Sequence, residues 1–411
     1  MAFLRNDAIN RVNLHYGIQA LAQGAGGVFF VVFLLRGGLS IPATLTAMAA
    51  ILAGRLVMRP AIVPLAKLFG LRPILIAGTI SLGVQYPILP LIHGLDWPLA
   101  ALVVAAALGD VLYWPAFHAY FAALGDAEHR GHQIGAREAL AAVAGIVAPV
   151  IGAAALILIG PGPTFAAVGV AQALAALPLL GAPAVPVAAE APGAFKAARL
   201  VALFMATDGW FDAFWFILWQ MALYVTLKDS IAAYGGAMAL AGLVGAAGGL
   251  VIGRRIDAGA GRGAVLVAYG VGLAVVILRA ASLSAPWLAV GANALGAVLI
   301  PLLSPTVGGA TYNLAKASPC PLRFQIVSEA GWDIGCGLGC LVAAIILTLG
   351  ASLGSTILLA VPSLLAGGTL IWRMYAAAGR SEPAEVGFPA QDGLGLGGVL
   401  GSVPKVEDEG G

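Results

Sequence analysis

Apolar runs of bilayer-spanning length, broken by charges or Gly/Pro turns, recur along nearly the whole chain. They predict twelve helices, near 13–35, 41–66, 73–93, 98–122, 137–159, 164–182, 199–226, 231–253, 263–283, 286–311, 325–349 and 353–375. Prolines inside 41–66 and 286–311 predict kinks. The Pro- and Ala-rich stretch from Gly181 to Gly193 reads as a linker. The predicted organisation is therefore a six-helix unit over 1–182, a linker over 183–198, a second six-helix unit over 199–375 and a disordered tail over 376–411.

Polar positions interrupt this pattern at helical spacing. In the seventh run, Asp208 and Asp212 share one helical face beside Trp210, Phe211, Phe214 and Trp215. A carboxylate inside a bilayer is costly and is expected to face a wet cavity or a partner. The first run places His15, Gln19 and Gln23 four residues apart, and the fourth repeats the spacing with Asp110, Trp114 and His118, with Tyr113 and Phe117 alongside. Asn293 and Ser304 are the polar positions of the tenth run. Arg55 and Arg59 lie one turn apart in the second run, and two readings of them stand, an ion pair with Asp110 or a site for an anionic substrate, while Arg59, nearer the cytoplasmic end, also fits snorkelling. Glu138 and Glu329, at matching starts of the fifth and eleventh runs, fit helix capping, while Asp333 one turn further in is expected to face the cavity or bind an Arg.

Composition agrees with a membrane protein. Hydrophobic residues make up 61% of the 411 and charged residues 10%, against about 25% charged in soluble proteins. The 56 glycines suit close packing of membrane helices. With both termini cytoplasmic, sixteen Lys and Arg fall on the inner side and only Arg36, Lys228 and Arg279 on the outer side. This predicts a multi-pass protein of the cell inner membrane with inside termini. The first apolar run is too long for a cleavable signal peptide. Cys320, Cys336 and Cys340 form no disulfide framework and read as small buried hydrophobes, not as metal ligands. Phosphate-cradling, zinc-protease and nucleophile-elbow patterns are absent, so neither an enzyme nor an ATP-driven pump is indicated. No soluble domain is large enough for nucleic-acid recognition.

An offset of 192 residues maps Gly17 onto Gly209, Arg36 onto Lys228, Tyr120 onto Tyr312 and Gln133 onto Gln325, which suggests a parallel repeat. Twelve runs, a central linker and two similar halves resemble the major facilitator superfamily over roughly residues 10–375. That family's loop pattern Gly-x-x-x-Asp-Arg-x-Gly-Arg-Arg is similar to Gly253-Arg-Arg-Ile-Asp257-Ala-Gly-Ala-Gly261-Arg262, with one extra residue. The first half keeps Lys67, Gly70 and Arg72 but has Ala66 where the pattern has Asp. The segment Ala144-Gly-Ile-Val-Ala148-Pro149-Val-Ile-Gly152-Ala153 is similar to the family's antiporter pattern, with Ala at three of its Gly positions.

The resemblance implies a central cavity lined by the first, fourth, seventh and tenth helices, and no cofactor or metal. The expected protein is an all-α, monomeric secondary transporter of a small organic molecule, working by alternating access and coupled to protons, in the direction of export. Asp208, Asp212 and Asp110 are the candidate proton carriers, because a membrane carboxylate in apolar surroundings can exchange protons near neutral pH. His15, Gln19, Gln23, Arg55, Tyr113, Trp114, His118, Trp210, Phe211, Phe214, Trp215 and Asn293 are the candidate cavity residues. A proton-linked importer of a sugar or organic anion, and a transporter-like sensor that moves nothing, are the alternatives.

Overall fold

The computed structural model describes residues 6–126, 129–256, 261–299, 302, 311, 312 and 314–378. Among these residues the protein is helical, and ten helices are long and apolar enough to cross a membrane. We number the segments α1 (Asp7–Arg36), α2 (Ile41–Phe69), α3 (Leu71–Leu91), α4 (Trp97–Leu124), α5 (Arg130–Leu158), α6 (Pro161–Leu180), α7 (Arg199–Thr226), α8 (Ile231–Ile256), α9 (Gly261–Ser282), α10 (Pro286–Gly296), α11 (Pro321–Thr348) and α12 (Leu353–Trp372). Residues 300, 301, 303–310 and 313, which the sequence placed in or beside the tenth run, lie outside the described residues, as do the tail 379–411 and Asp257.

Local chemistry sets the helix ends. Asn6 caps α1 by accepting the Ile9 amide at 3.0 Å, so the helix starts six residues before the predicted apolar run. Ser40 and Asp96 cap α2 and α4 in the same way. Pro60 converts Arg59–Ala61 to a 3-10 turn, which is the kink expected in α2. Gly70 turns the chain from α2 into α3 at φ +82°, a conformation that favours glycine. In α7 the ladder opens at Ala213–Leu218 into a π turn, directly after Asp212.

Packing repeats along the chain. The first six helices pack α1 on α5 and α6, α3 on α4 and α6, and α2 on α4. The next six pack α7 on α11 and α12, α9 on α10 and α12, and α8 on α10. Gly17 sits against Leu140 where α1 meets α5, and Gly209 sits against the Trp332 carbonyl where α7 meets α11, each pair 192 residues from the other. The two sets of helices touch mainly through α2 on α11 and α5 on α8. At the end of the bundle where the linker runs, Lys316 Nζ donates to the Gly125 carbonyl at 2.6 Å. At the far end Tyr234 donates to the Val28 carbonyl at 3.0 Å and packs edge-on against Phe29.

The linker is bound along its backbone. Arg72 donates to the Ala182 carbonyl at 2.7 Å, Tyr120 to that of Pro183, and the Leu71 amide to that of Val185 at 3.2 Å. From the other set, Arg323 Nη1 and Nη2 donate to the Ala188 and Ala189 carbonyls at 3.0 Å each.

Candidate functional site: a charged cluster where the two sets of helices meet

Pro at the first turn starts α11 at Pro321, four residues before the predicted run. Glu329 and Asp333 therefore stand two and three turns inside the helix, and Glu329 is not a capping residue. Both face α2. Arg59 donates from Nε to Asp333 Oδ2 at 2.8 Å and also through Nη2. Arg55 donates to Glu329 at 3.3 Å, and its Nε lies 2.9 Å from Asp333 Oδ1. Asp110 is the third carboxylate on Arg55, at 3.5 Å. The Arg55–Asp110 pair expected from the sequence is present, but the tighter partners, Glu329 and Asp333, come from α11, far along the chain. Arg55, Arg59 and Asp333 are buried, and charges taken out of water require this pairing.

A second chain of contacts runs toward the linker end. Arg137 donates to the Tyr312 hydroxyl at 3.1 Å, and that hydroxyl lies 2.7 Å from His118 Nδ1. Because Tyr312 accepts from Arg137, its own proton is available to Nδ1. Nε2 lies 3.4 Å from Glu329 Oε1. Arg137 and His118 belong to the first set of helices, Tyr312 and Glu329 to the second, so the sequence of contacts alternates between sets at every step.

Asp212 completes the cluster on α7. It accepts the Trp332 indole N–H at 3.0 Å, and the same ring carries the Arg55 guanidinium at 5.5 Å from its centroid. Asp110 is held similarly, by the Trp114 indole at 3.1 Å. Asp208 forms no hydrogen bond or ion pair among the described residues, and both α7 carboxylates are only half-buried. Asp110, Asp212, Glu329 and Asp333 thus outnumber Arg55 and Arg59 in the cluster.

Other candidates fall elsewhere. His15 is fully buried between α4 and α6, bonded to the Ala175 carbonyl at 2.7 Å and to Tyr113 at 3.0 Å. Pro178 explains the first bond: α6 breaks at Ala175–Ala176, and the Leu179 amide bonds Ala176, leaving the Ala175 carbonyl available. Tyr113 and Phe214 are likewise fully buried and Gln19 nearly so, while Gln23 is half-buried. Asn293 links α8 and α7 by donating to the Ala237 carbonyl at 3.1 Å and accepting from Trp219 at 2.9 Å. Phe211 stacks on Trp215 at 4.9 Å, and half-buried Trp210 donates to the Leu359 carbonyl at 2.9 Å. Trp114 stacks on His118 at 5.6 Å beside the cluster. Arg72 binds linker backbone and Lys67 is exposed. Gly253, Gly261 and Arg262 lie on described helical backbone, but residues 257–260 between them, with Asp257, are outside the described residues.

The sequence missed Trp332 and Tyr312 as site residues. Trp332 neighbours Asp333 in the apolar part of its helix, which was the available signal. The small-residue segment of α5 packs as its composition suggests. A Cβ on Gly242 of α8 would lie 2.5 Å from the Gly145 carbonyl oxygen, and one on Gly235 would lie 2.9 Å from that of Pro149.

No protein-family model matches the sequence, and no curated sequence matches it at a significant level. Solved structures do. The crystal structure of the human organic anion transporter MFSD10 (TETRAN) superposes with a TM-score of 0.67 at 14% identity, covering 89% of this chain and 99% of that one. The E. coli fucose:proton symporter FucP gives 0.61 at 13% identity, covering 89% and 98%. The chain has the major facilitator fold. Within that fold, the charged cluster lies where the two sets of helices meet through α2 and α11.

Proposed function

We propose that this protein is a twelve-span, proton-coupled secondary transporter that exports a small organic molecule by alternating access. The two sets of helices act as halves, residues 1–182 and 199–375, that rock about the cluster between α2 and α11. The linker end is cytoplasmic and the protein works as a monomer in the inner membrane.

The observation that carries this reading is the position of Trp332, with its N–H on Asp212 and its ring face under Arg55. Protonation of Asp212 weakens a charge-assisted bond to the indole, and any movement of that ring is felt by the guanidinium that ties α2 to α11. A proton on α7 is thereby coupled to the contact between halves. The carboxylate excess supports protons as the coupling ion, since unpaired carboxylates in a bilayer are most stable when neutral. Contacts between the halves at both ends support an occluded conformation. Half-buried Trp114, Trp210 and Trp332 favour a cargo with an aromatic or apolar part.

The alternative, import of an organic anion read by Arg55, has less support because Arg55 already faces three carboxylates. The deciding experiment starts with a thermal-shift screen of the purified protein to find a ligand, followed by flux in proteoliposomes. Uphill movement driven by an imposed pH gradient, in the direction opposite to the protons, is the expected result. Movement in the same direction as the protons would establish the importer, and binding without flux would establish a sensor.

A further inference from the structure

Arg279 stands three residues before the end of α9 and is only 4% exposed. A basic side chain near the end of a membrane helix ordinarily reaches outward to the headgroups. This one turns into the protein. Its Nη1 donates to the Trp215 carbonyl at 2.7 Å, within the π turn of α7. The rings of Trp215 and Trp219 lie 3.8 and 4.6 Å from its Cζ.

The guanidinium has no ion pair among the described residues, and its buried Nε has no hydrogen-bond partner. One bond and two aromatic contacts are a poor replacement for water around five N–H groups. The indoles screen the faces of the cation and leave its edge. On α10, Gly296 lets the Nη2 end of that edge pack against the helix, since a Cβ there would collide with Nη2, and Nε is the donor left without a partner. A π turn, an inward-turned cation and an unsatisfied buried donor coincide at one place, away from the charged cluster between α2 and α11.

We propose that Arg279 is the centre of an anion-binding site, taking a halide or the carboxylate of an organic acid in the plane of the guanidinium, against Nε. Trp215 and Trp219 wall the site, and the anion neutralises the cation that otherwise stands alone in the bilayer. The site holds the π turn of α7 through Trp215, so its occupancy stiffens the segment that follows Asp212. This assignment does not depend on the direction or the coupling ion of transport.

The test uses the purified full chain, with sodium chloride, sodium bromide or sodium benzoate titrated against bulky sodium gluconate at constant ionic strength. Melting temperature and tryptophan fluorescence are the readouts. A saturable rise in melting temperature with a fluorescence change is expected, and Arg279→Gln weakens it about tenfold or more, while Arg279→Lys retains part of it. A response to halide alone identifies an inorganic anion, and a response to benzoate alone identifies a carboxylate. A bromide anomalous peak beside Nε in crystals of the unaltered protein provides a check should Arg279→Gln not fold. Absence of any saturable response together with absence of the peak, or an equal response in Arg279→Gln, overturns the proposal.

Discussion

Arg59 and Asp333 are 274 residues apart in the chain and form a buried ion pair across the contact of α2 with α11, with Arg59 Nε 2.8 Å from the carboxylate. Arg55 lies against the same carboxylate from one turn earlier on α2. Asp333→Asn therefore leaves the buried Arg59 without its carboxylate, while Arg55 keeps Glu329 and Asp110, and it should destabilise the protein by about 3 kcal/mol. Arg59→Gln should cost a similar amount, and the double variant should cost clearly less than their sum, with a coupling energy of about 2 kcal/mol. Additive melting-temperature losses in the two single variants and the double would show that the pair contributes nothing of its own.

Asp208 and Asp212 should behave in the opposite way. Asp208 has no partner among the described residues, so Asp208→Asn removes an unpaired charge and should leave the melting temperature unchanged or higher. Both Asp208→Asn and Asp212→Asn should abolish uphill, proton-driven flux while retaining expression. Normal uphill flux in both variants would remove these residues from coupling.

Trp332→Phe keeps a ring face for Arg55 but deletes the N–H held by Asp212. It should separate ligand binding from coupling: affinity within about threefold of the unaltered protein, against a loss of more than about tenfold in gradient-driven flux, the scale of one charge-assisted hydrogen bond. Equal losses in binding and flux would assign the indole to the cargo instead.

Where α5 meets α8, any side chain at position 242 drives into the Gly145 backbone. Gly242→Val should separate the two helices, destabilise the protein by about 1–3 kcal/mol and raise passive proton leak in proteoliposomes. An unchanged leak rate in folded protein would show that this contact does not seal the path.

Ten spans among the described residues were legible because hydropathy and length suffice to define a membrane helix, and the α7 boundaries agree with the expected 199–226. The charged cluster was half legible. Arg55 and Arg59 demanded carboxylates, and Asp110 was visible at a compatible depth, but nothing in a single sequence connects residue 55 to residue 329 or residue 59 to residue 333. His15 shows the limit of a polar stripe: it marks a face that needs hydrogen bonds, and a backbone carbonyl freed by a proline satisfies that need as well as water does. Arg279 was counted with the outer loop on position alone, because charge counting carries no information on which way a side chain turns. The π turn leaves no comparable mark in the sequence, since it arises where tertiary contacts hold a carbonyl off the helical ladder.

The bound linker sets a ruler on the molecule. Val185 is fixed to the start of α3 and Ala188 to Arg323 of α11. Three residues of extended chain reach about 10 Å. While both attachments hold, α3 and α11 can separate at that end no further than this short strap allows, and wider separation there requires Arg323 to let go.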